Sequence, residues 1–365
     1  MKKILLVYTA ALGYGHKRSA QAIETALNIY YPKHKTYLIN ALSTVHPSIE
    51  KFFGGFRRYT LKFFPGLWGF IYKNEEKLLK IFSLVEKFSE NIFIKKFQEM
   101  LLEYKPDVIV ATQAFPSKVF SVIKKKDNLK IPIIYVTTDF DIHSYHINCG
   151  ADIFIVPNAE IKNAMVKKGL KNPIKIMGIP IGLEFDKIKN RKILQKKYNL
   201  KEKITVFILG GGSGLGYIEN IIREIKKSKQ DVQIMVSIGV NKSLGQRIQK
   251  DFNDVYLVGY TKDIDELYRI SDIAITKPGG LTVSELLAME IPMIITNPLP
   301  GLEEKNSNYL VKKKVAIYSK NIKDIPNIIE DLISNHDKLN KMKKNSKALS
   351  KPKAALHVAE IINNI

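Results

Sequence analysis

A histidine, His16, stands in Gly13-Tyr14-Gly15-His16-Lys17-Arg18, directly after the apolar run Lys3–Thr9. A histidine displayed where a strand turns into a helix can serve as a general base near neutral pH. The same residue can also simply cap the helix or pack in the turn. Asp139 closes another apolar run, Pro132–Thr138, and could orient such a base or accept a hydrogen bond. Asp139-Phe140-Asp141 also invites a divalent cation. Two carboxylates without a third acidic neighbour make a poor metal site, so no metal is expected.

A second constellation fills Ile275–Leu310. A short strand runs into Lys277-Pro278-Gly279-Gly280, and Thr282-Val283-Ser284-Glu285 opens a helix that ends near Pro292. Glycines let backbone N–H groups approach a ligand, and a helix N-terminus favours negative charge, so the chemistry on offer is anion binding. Glu285, one turn inside the helix, could accept hydrogen bonds from ribose hydroxyls. After Pro298–Gly301 comes a polar loop with Glu303, Glu304, Asn306 and Asn308, whose spacing suits a sugar ring. Together they suggest half of a nucleotide-sugar site. Pro-Gly-Gly followed by Thr-x-Ser-Glu is equally an ordinary strand–turn–helix junction with a capping box. Upstream, Gly210-Gly211-Gly212-Ser213-Gly214-Leu215-Gly216 could cradle phosphate or pack a helix closely on a strand. It lacks Gly-Lys-Ser/Thr and is no Walker loop.

These residues need a scaffold, and the chain supplies the same grammar twice. In the first half Lys3–Thr9 is a buried strand, Ala10–His16 a turn, Lys17–Tyr30 a helix and Thr36–Asn40 the next strand. Strands follow at 106–111, 132–138, 152–157 and 175–179. The second half restarts at Ile204–Leu209 and continues through 233–238, 255–258, 273–275 and 293–296. Alternating strands and helices predict doubly wound parallel sheets with ligands at the carboxyl ends of the strands. The nicotinamide fingerprint is incomplete, because Arg18 replaces its third glycine and the next strand ends in Asn40 rather than an acid. We expect an N-terminal domain over residues 1–184 and a C-terminal domain over 185–350. A last helix over 351–365 crosses back to the first.

The 365 residues suffice for two cores. One cysteine, Cys149, excludes an intramolecular disulfide. No apolar run reaches the ~18–20 residues that span a bilayer, and the N-terminus is taken as a buried strand rather than a signal peptide, which implies a cytoplasmic protein. The formal net charge is +23. Such a charge acts on partners, with anionic membrane and nucleic acid the obvious ones; a Lys-, Ile- and Asn-rich composition also explains it. The segment Phe52–Tyr72 holds six phenylalanines, two tyrosines and the single tryptophan, Trp68. Phe56, Phe63 and Phe64 interleave there with Arg57, Arg58 and Lys62. Its glycines and proline argue against one long helix. Aromatic and basic residues together suit a membrane interface, or else an aromatic lid. Asn74–Tyr104 predicts one or two amphipathic helices packed on the core.

The order of these blocks resembles the GT-B glycosyltransferases of family 28, within them the processive diacylglycerol glucosyltransferases and monogalactosyldiacylglycerol synthases. The carriers are Gly13–Ile23, Thr138-Asp139-Phe140, Gly178-Ile-Pro-Ile181, Gly210–Gly214, Val258-Gly-Tyr260, Lys277–Glu285 and Pro300–Asn306 with Asn308. Gly182 and Leu302 stand where many members carry Arg and Gln. The resemblance implies an α/β GT-B fold, two Rossmann-like doubly wound domains facing a cleft. It implies a UDP-hexose donor on the C-terminal domain, with Tyr260 beside the uracil and Glu285 on the ribose. Gly211, Gly212, Ser213, Gly214, Gly279, Gly280 and Leu281 would cradle the diphosphate through their N–H groups, with Pro278 and Thr282 also in the donor site. Glu303, Glu304, Asn306 and Asn308 would surround the hexose. His16 would deprotonate the acceptor with Asp139 nearby, and one displacement would invert the anomeric centre without cofactor or metal.

The expected activity moves a hexose, glucose foremost, to diacylglycerol, giving mono- and diglycosyl products. The enzyme would sit peripherally on the inner face of the cell membrane, docked by its aromatic–basic segment. Two alternatives stay open. One is a peptidoglycan lipid-linked UDP-N-acetylglucosamine transferase, whose lipid diphosphate would meet the loop of Gly13, Gly15 and Lys17. The other is a basic nucleic-acid-binding protein, although the chain has no motif for that role and nucleic acid is not an expected partner.

Overall fold

Alternating apolar runs and amphipathic segments build two α/β units. A computed structural model describes residues 1–64, 66, 69–70, 74, 93–210, 217–228 and 230–365. Backbone contacts divide the chain into Met1–Leu183 with Leu299–Leu302 and Lys351–Ile365, and Glu184–Pro298 with Glu303–Ser350.

The first unit holds β1 (Lys3–Tyr8), β2 (Lys35–Asn40), β3 (Val108–Ala111), β4 (Ile133–Val136), β5 (Ile153–Val156) and β6 (Ile174–Ile176). They lie in the order β2-β1-β3-β4-β5-β6, with every pairing parallel. The period of two sorts the central strands between two cores. Ile4, Leu6, Val110 and Val136 pack against Ile23, Ala26 and Leu27 of the helix Tyr14–Tyr30, and against Val358, Ala359 and Ile362 of the helix Ala354–Asn364. On the opposite face Leu5, Val7, Ile109 and Tyr135 meet Phe97, Met100, Phe120 and Ile123. The last helix is tied down at its end as well. The Lys2 ammonium donates to the carbonyls of Ile362 and Asn363 at 3.2 and 2.7 Å, which suits a cation at a helix C-terminus. Gly178 has φ +94°, and a Cβ there would lie 2.4 Å from the Lys351 side chain. Only glycine fits both the backbone and that approach.

The second unit holds β7 (Thr205–Leu209), β8 (Gln233–Gly239), β9 (Tyr256–Gly259), β10 (Ile273–Thr276), β11 (Met293–Thr296) and β12 (Ala316–Ser319). Their order is β12-β11-β10-β7-β8-β9, again parallel throughout. Val206, Ile208, Val236 and Ile275 pack against the isoleucine face of the helix Ile218–Lys227 and against Ile325, Ile329 and Leu332. The segment entering this unit is bound to it by ions. Glu266 accepts from Lys189 at 3.1 Å, Lys197 at 2.5 Å and the Tyr198 hydroxyl at 2.6 Å. Burial alone would raise the Glu266 pKa, but those three donors overcome it and bring the value down to about 2. Burial, and then the bond to Glu266, lift Tyr198 to about 12.

Several elements differ from their sequence expectations. The first helix begins at Tyr14, so His16 lies in its first turn rather than ahead of it. Pro47–Phe63 is one continuous helix that runs through Gly54 and Gly55, although it does end at Phe63, ahead of Pro65, as the proline predicts. His46 accepts from the Ser48 N–H at its start and Pro47 occupies the first turn. A glycine costs a helix only ~1 kcal/mol, and a good cap with tertiary packing outweighs two of them. Asn74–Tyr104 is described only at residue 74 and as a helix from 93. Glu303–Asn308 is not a loop but part of the helix Leu302–Lys312.

Candidate functional site

In the first unit the switch point of the strand order lies between β1 and β3, and the chemistry-bearing side chains gather at the carboxyl ends of β1, β3 and β4. Gly13 has φ +138° and ψ 150°, a conformation that releases the chain from the short 3-10 turn Ala10–Leu12 into the helix. A Cβ there would meet nothing within 4 Å, so backbone freedom alone calls for glycine at this position. Gly15, His16 and Lys17 follow in the first turn, all half-buried.

His16 Nδ1 lies 2.7 Å from the Thr112 carbonyl oxygen. A carbonyl only accepts, so Nδ1 carries the proton and, in the neutral ring, the lone pair sits on Nε2. The Thr138 hydroxyl lies 3.1 Å from the same nitrogen. Thr112 Oγ1 donates back to the His16 main-chain carbonyl at 3.0 Å. Both threonines are buried. Asp139, half-buried, follows Thr138 directly at the end of β4. Of the two threonines, only Thr138 stood in a motif block of the sequence, and neither was assigned a role there. Each stands just beyond an apolar run that ends a strand.

In the second unit the switch point lies between β7 and β10. A small depression opens at the carboxyl ends of β7, β10 and β11, and its lining includes Leu209, Tyr217, Thr276, Lys277, Thr296 and Asn297. The glycine loop residues Gly211, Gly212, Ser213 and Gly214 lie outside the described residues; Gly210 and Tyr217 flank them. The helix Gly280–Ala288 starts beside Lys277 with Gly279 as its cap and no side-chain cap bond. The expected capping box does not form. Thr282 sits inside the helix, and Ser284 donates instead to the Gly280 carbonyl at 2.8 Å. Leu281 is buried and Thr282 half-buried.

Glu285 is buried, and its Oε2 accepts from the Tyr268 hydroxyl at 3.2 Å. Sequence reasoning had no sign of Tyr268, whose position 17 residues upstream follows no helical or strand spacing. The polar run after Gly301 is divided by its helix. Asn306 is fully buried and donates to the Pro278 carbonyl at 2.9 Å, fixing the Pro-Gly-Gly turn. Glu303 is half-buried, while Glu304 and Asn308 are exposed. Tyr260, just past β9, is also exposed.

The helix Pro47–Phe63 presents Phe52, Phe56, Tyr59 and Phe63 to solvent, each more than half exposed, with Phe64 beside them. Their spacing of four, three and four residues makes one stripe. The side chains of Arg57, Arg58 and Lys62, and Trp68 altogether, lie outside the described residues. Among the described residues no helix is long and apolar enough to cross a membrane, and no group of three or more His, Cys, Asp or Glu could hold a metal ion.

Comparison with known proteins matches both halves. Residues 16–181 fit the monogalactosyldiacylglycerol (MGDG) synthase family, and residues 205–363 fit the glycosyltransferase family 28 C-terminal domain. A processive diacylglycerol beta-glucosyltransferase of Bacillus cereus is 30% identical over 98% of this chain and 92% of its own length, and one of Bacillus anthracis has the same values. Among solved structures, Acinetobacter baumannii MurG superposes with a TM-score of 0.68 at 15% identity, covering all of both chains. Anabaena HepE in complex with UDP-glucose superposes at 0.60 and 15%, with the same coverage. At that identity the structural likeness speaks for the fold, which is GT-B. With the MGDG synthase model on the first half, the family 28 C-terminal model on the second and a 30% identical relative extending along nearly the whole chain, this protein belongs to the family 28 glycosyltransferases and is a hexosyltransferase.

Proposed function

We propose that this enzyme transfers glucose from UDP-glucose to diacylglycerol at the surface of an anionic membrane, with inversion at the anomeric carbon, yielding mono- and diglucosyldiacylglycerol. The observation that carries this reading is the extent of the glucosyltransferase likeness. It covers 98% of the chain and so takes in both the His16 crevice and the Pro278–Gly280 turn. The structural likeness to MurG reflects the fold and does not favour a lipid diphosphate acceptor.

In this mechanism the second unit holds the donor. Backbone N–H groups of the Gly210–Gly216 loop and of the first turn at Gly279–Thr282 meet the diphosphate, where the positive end of the helix stabilises the charge that builds on departing UDP. Lys277 adds a cation at the rim of the depression. Glu285 receives the ribose hydroxyls, exchanging its Tyr268 bond or sharing it. Tyr260 lies beside the uracil through its backbone. Glu303, Glu304 and Asn308 meet the hexose, and Asn306 acts from behind by holding Pro278. In the first unit His16 takes the acceptor proton, with Asp139 supporting it and Gly13, Gly15 and Lys17 forming the adjoining loop. The exposed stripe of Phe52, Phe56, Tyr59, Phe63 and Phe64 enters the headgroup region of the inner leaflet. The surplus of cations attracts the anionic lipid.

The test is transfer from labelled UDP-glucose and UDP-galactose, separately, to diacylglycerol in anionic vesicles. Glucolipid from the first donor alone supports the reading, and a ladder of products shows processive addition. Product from UDP-galactose alone replaces the sugar. No product from either, with UDP still bound, overturns the acceptor.

A further inference from the structure

We propose that Thr112 and Thr138 are positioning residues of the transfer reaction, holding His16 in its Nδ1–H tautomer so that Nε2 takes the acceptor's proton. The proposal deepens the reading of His16 as the base and rests on it.

The argument is one of donors and acceptors. Two oxygens, the Thr112 carbonyl at 2.7 Å and the Thr138 hydroxyl at 3.1 Å, converge on the same ring nitrogen. The carbonyl cannot donate, so the proton between them belongs to Nδ1, and Thr138 Oγ1 serves as a second acceptor for it. The opposite tautomer would set a lone pair against a carbonyl lone pair at 2.7 Å. It is excluded on that ground. Thr112 is bound to His16 twice, through its carbonyl and through its hydroxyl on the His16 carbonyl. The first turn of the helix is thereby stapled to the end of β3, and the ring cannot rotate without breaking its Nδ1 contacts with the Thr112 carbonyl and the Thr138 hydroxyl.

The consequence for the reaction is a balanced step. The acceptor hydroxyl gives its proton to Nε2, and its oxygen electron pair forms the new bond to the anomeric carbon. The anomeric carbon–phosphate oxygen bond breaks, and its electrons leave with UDP. The imidazolium so formed carries its charge on both nitrogens, and the two threonine oxygens stabilise the Nδ1 side. They therefore raise the basicity of Nε2 as well as aim it. Lys17 and Arg18 on the same helix and Asp139 beside Thr138 also bear on that charge. The profiles are therefore compared with those of Asp139→Asn.

The experiment uses the full chain with diacylglycerol vesicles and the UDP-sugar that supports turnover. Thr138→Val keeps the shape and removes the acceptor. It should lower kcat about tenfold, leave the donor KM unchanged, and move the acid limb of the pH profile down by about one unit, the effect of one hydrogen bond to a charged group. Thr138→Ser should restore both. Nitrogen-15 spectra of histidine-labelled protein, with His16 assigned by His16→Gln, should show Nδ1 protonated in the resting enzyme. An unmoved acid limb in Thr138→Val, or a bare Nδ1 in the spectra, overturns the proposal. The spectra decide it even where the valine variant fails to fold. Full turnover by His16→Ala would overturn the base itself, which is a separate outcome. Loss of turnover in His16→Ala beside an unchanged Thr138→Val overturns only the positioning.

Discussion

The two sheets are both six-stranded and parallel, yet they put different material at their switch points. In the first, β2-β1-β3-β4-β5-β6, the strand ends carry side chains, namely His16, Thr112, Thr138 and Asp139. In the second, β12-β11-β10-β7-β8-β9, they carry glycines, a helix start without a side-chain cap, and Glu285 bonded to Tyr268. Proton transfer needs a titratable group at one atom. Binding a diphosphate needs many weak dipoles and a close backbone approach. The same α/β scaffold serves either need, because its strand ends always deliver loops to one edge.

This contrast can be broken by mutation. His16→Ala should lower kcat by about 10²–10⁴ and leave UDP affinity intact; weakened UDP binding in equilibrium titration would merge the two roles. The pair Phe56→Ser with Phe63→Ser should cut affinity for anionic vesicles about a hundredfold, since each ring loses on the order of 1.5 kcal/mol of apolar burial. Turnover of a detergent-dispersed acceptor should survive, and sedimentation with vesicles reads the difference. Glu285→Gln should raise the donor KM about tenfold, the effect of weakening one charged hydrogen bond, with the vesicle affinity unchanged. Gln is the informative change there, because alanine would also leave a cavity and remove the acceptor that Glu285 gives the Tyr268 hydroxyl.

The smallest effect concerns stability. Glu266 is held at about 2, below its ordinary value of 4.5. A depressed carboxylate contributes stability that is present above the unfolded pKa and lost as pH falls through the folded one. Acid unfolding of the second unit should therefore steepen between pH 4.5 and 2. Glu266→Gln should flatten that part of the curve, at a cost of about 1–2 kcal/mol near neutral pH. An unchanged acid curve would remove the Lys189–Lys197–Tyr198 network as a source of stability.

The repeated strand–turn–helix grammar was legible because periodicity is local, and the parallel sheets follow from it. Continuous apolar runs such as Lys3–Tyr8 and Ile273–Thr276 are what a strand buried on both faces requires. The likeness of the ordered glycine blocks to family 28 was legible for the same reason. Other features were misjudged because a local rule met a tertiary one. Gly54 and Gly55 suggested a break, and packing with a good cap kept the helix whole. The run Glu303–Asn308 suggested a loop because it is polar, yet a helix that is half exposed tolerates polarity on one side.

The sequence by itself determined the class of the scaffold and where along the chain its loops would fall. Only the tertiary structure decided which side chains meet. His16 and the Thr112 carbonyl are 96 residues apart, and His16 and Thr138 are 122 apart. No spacing rule reaches that far. Those contacts exist because β1, β3 and β4 pair in register and end together, which is a property of the sheet rather than of any segment.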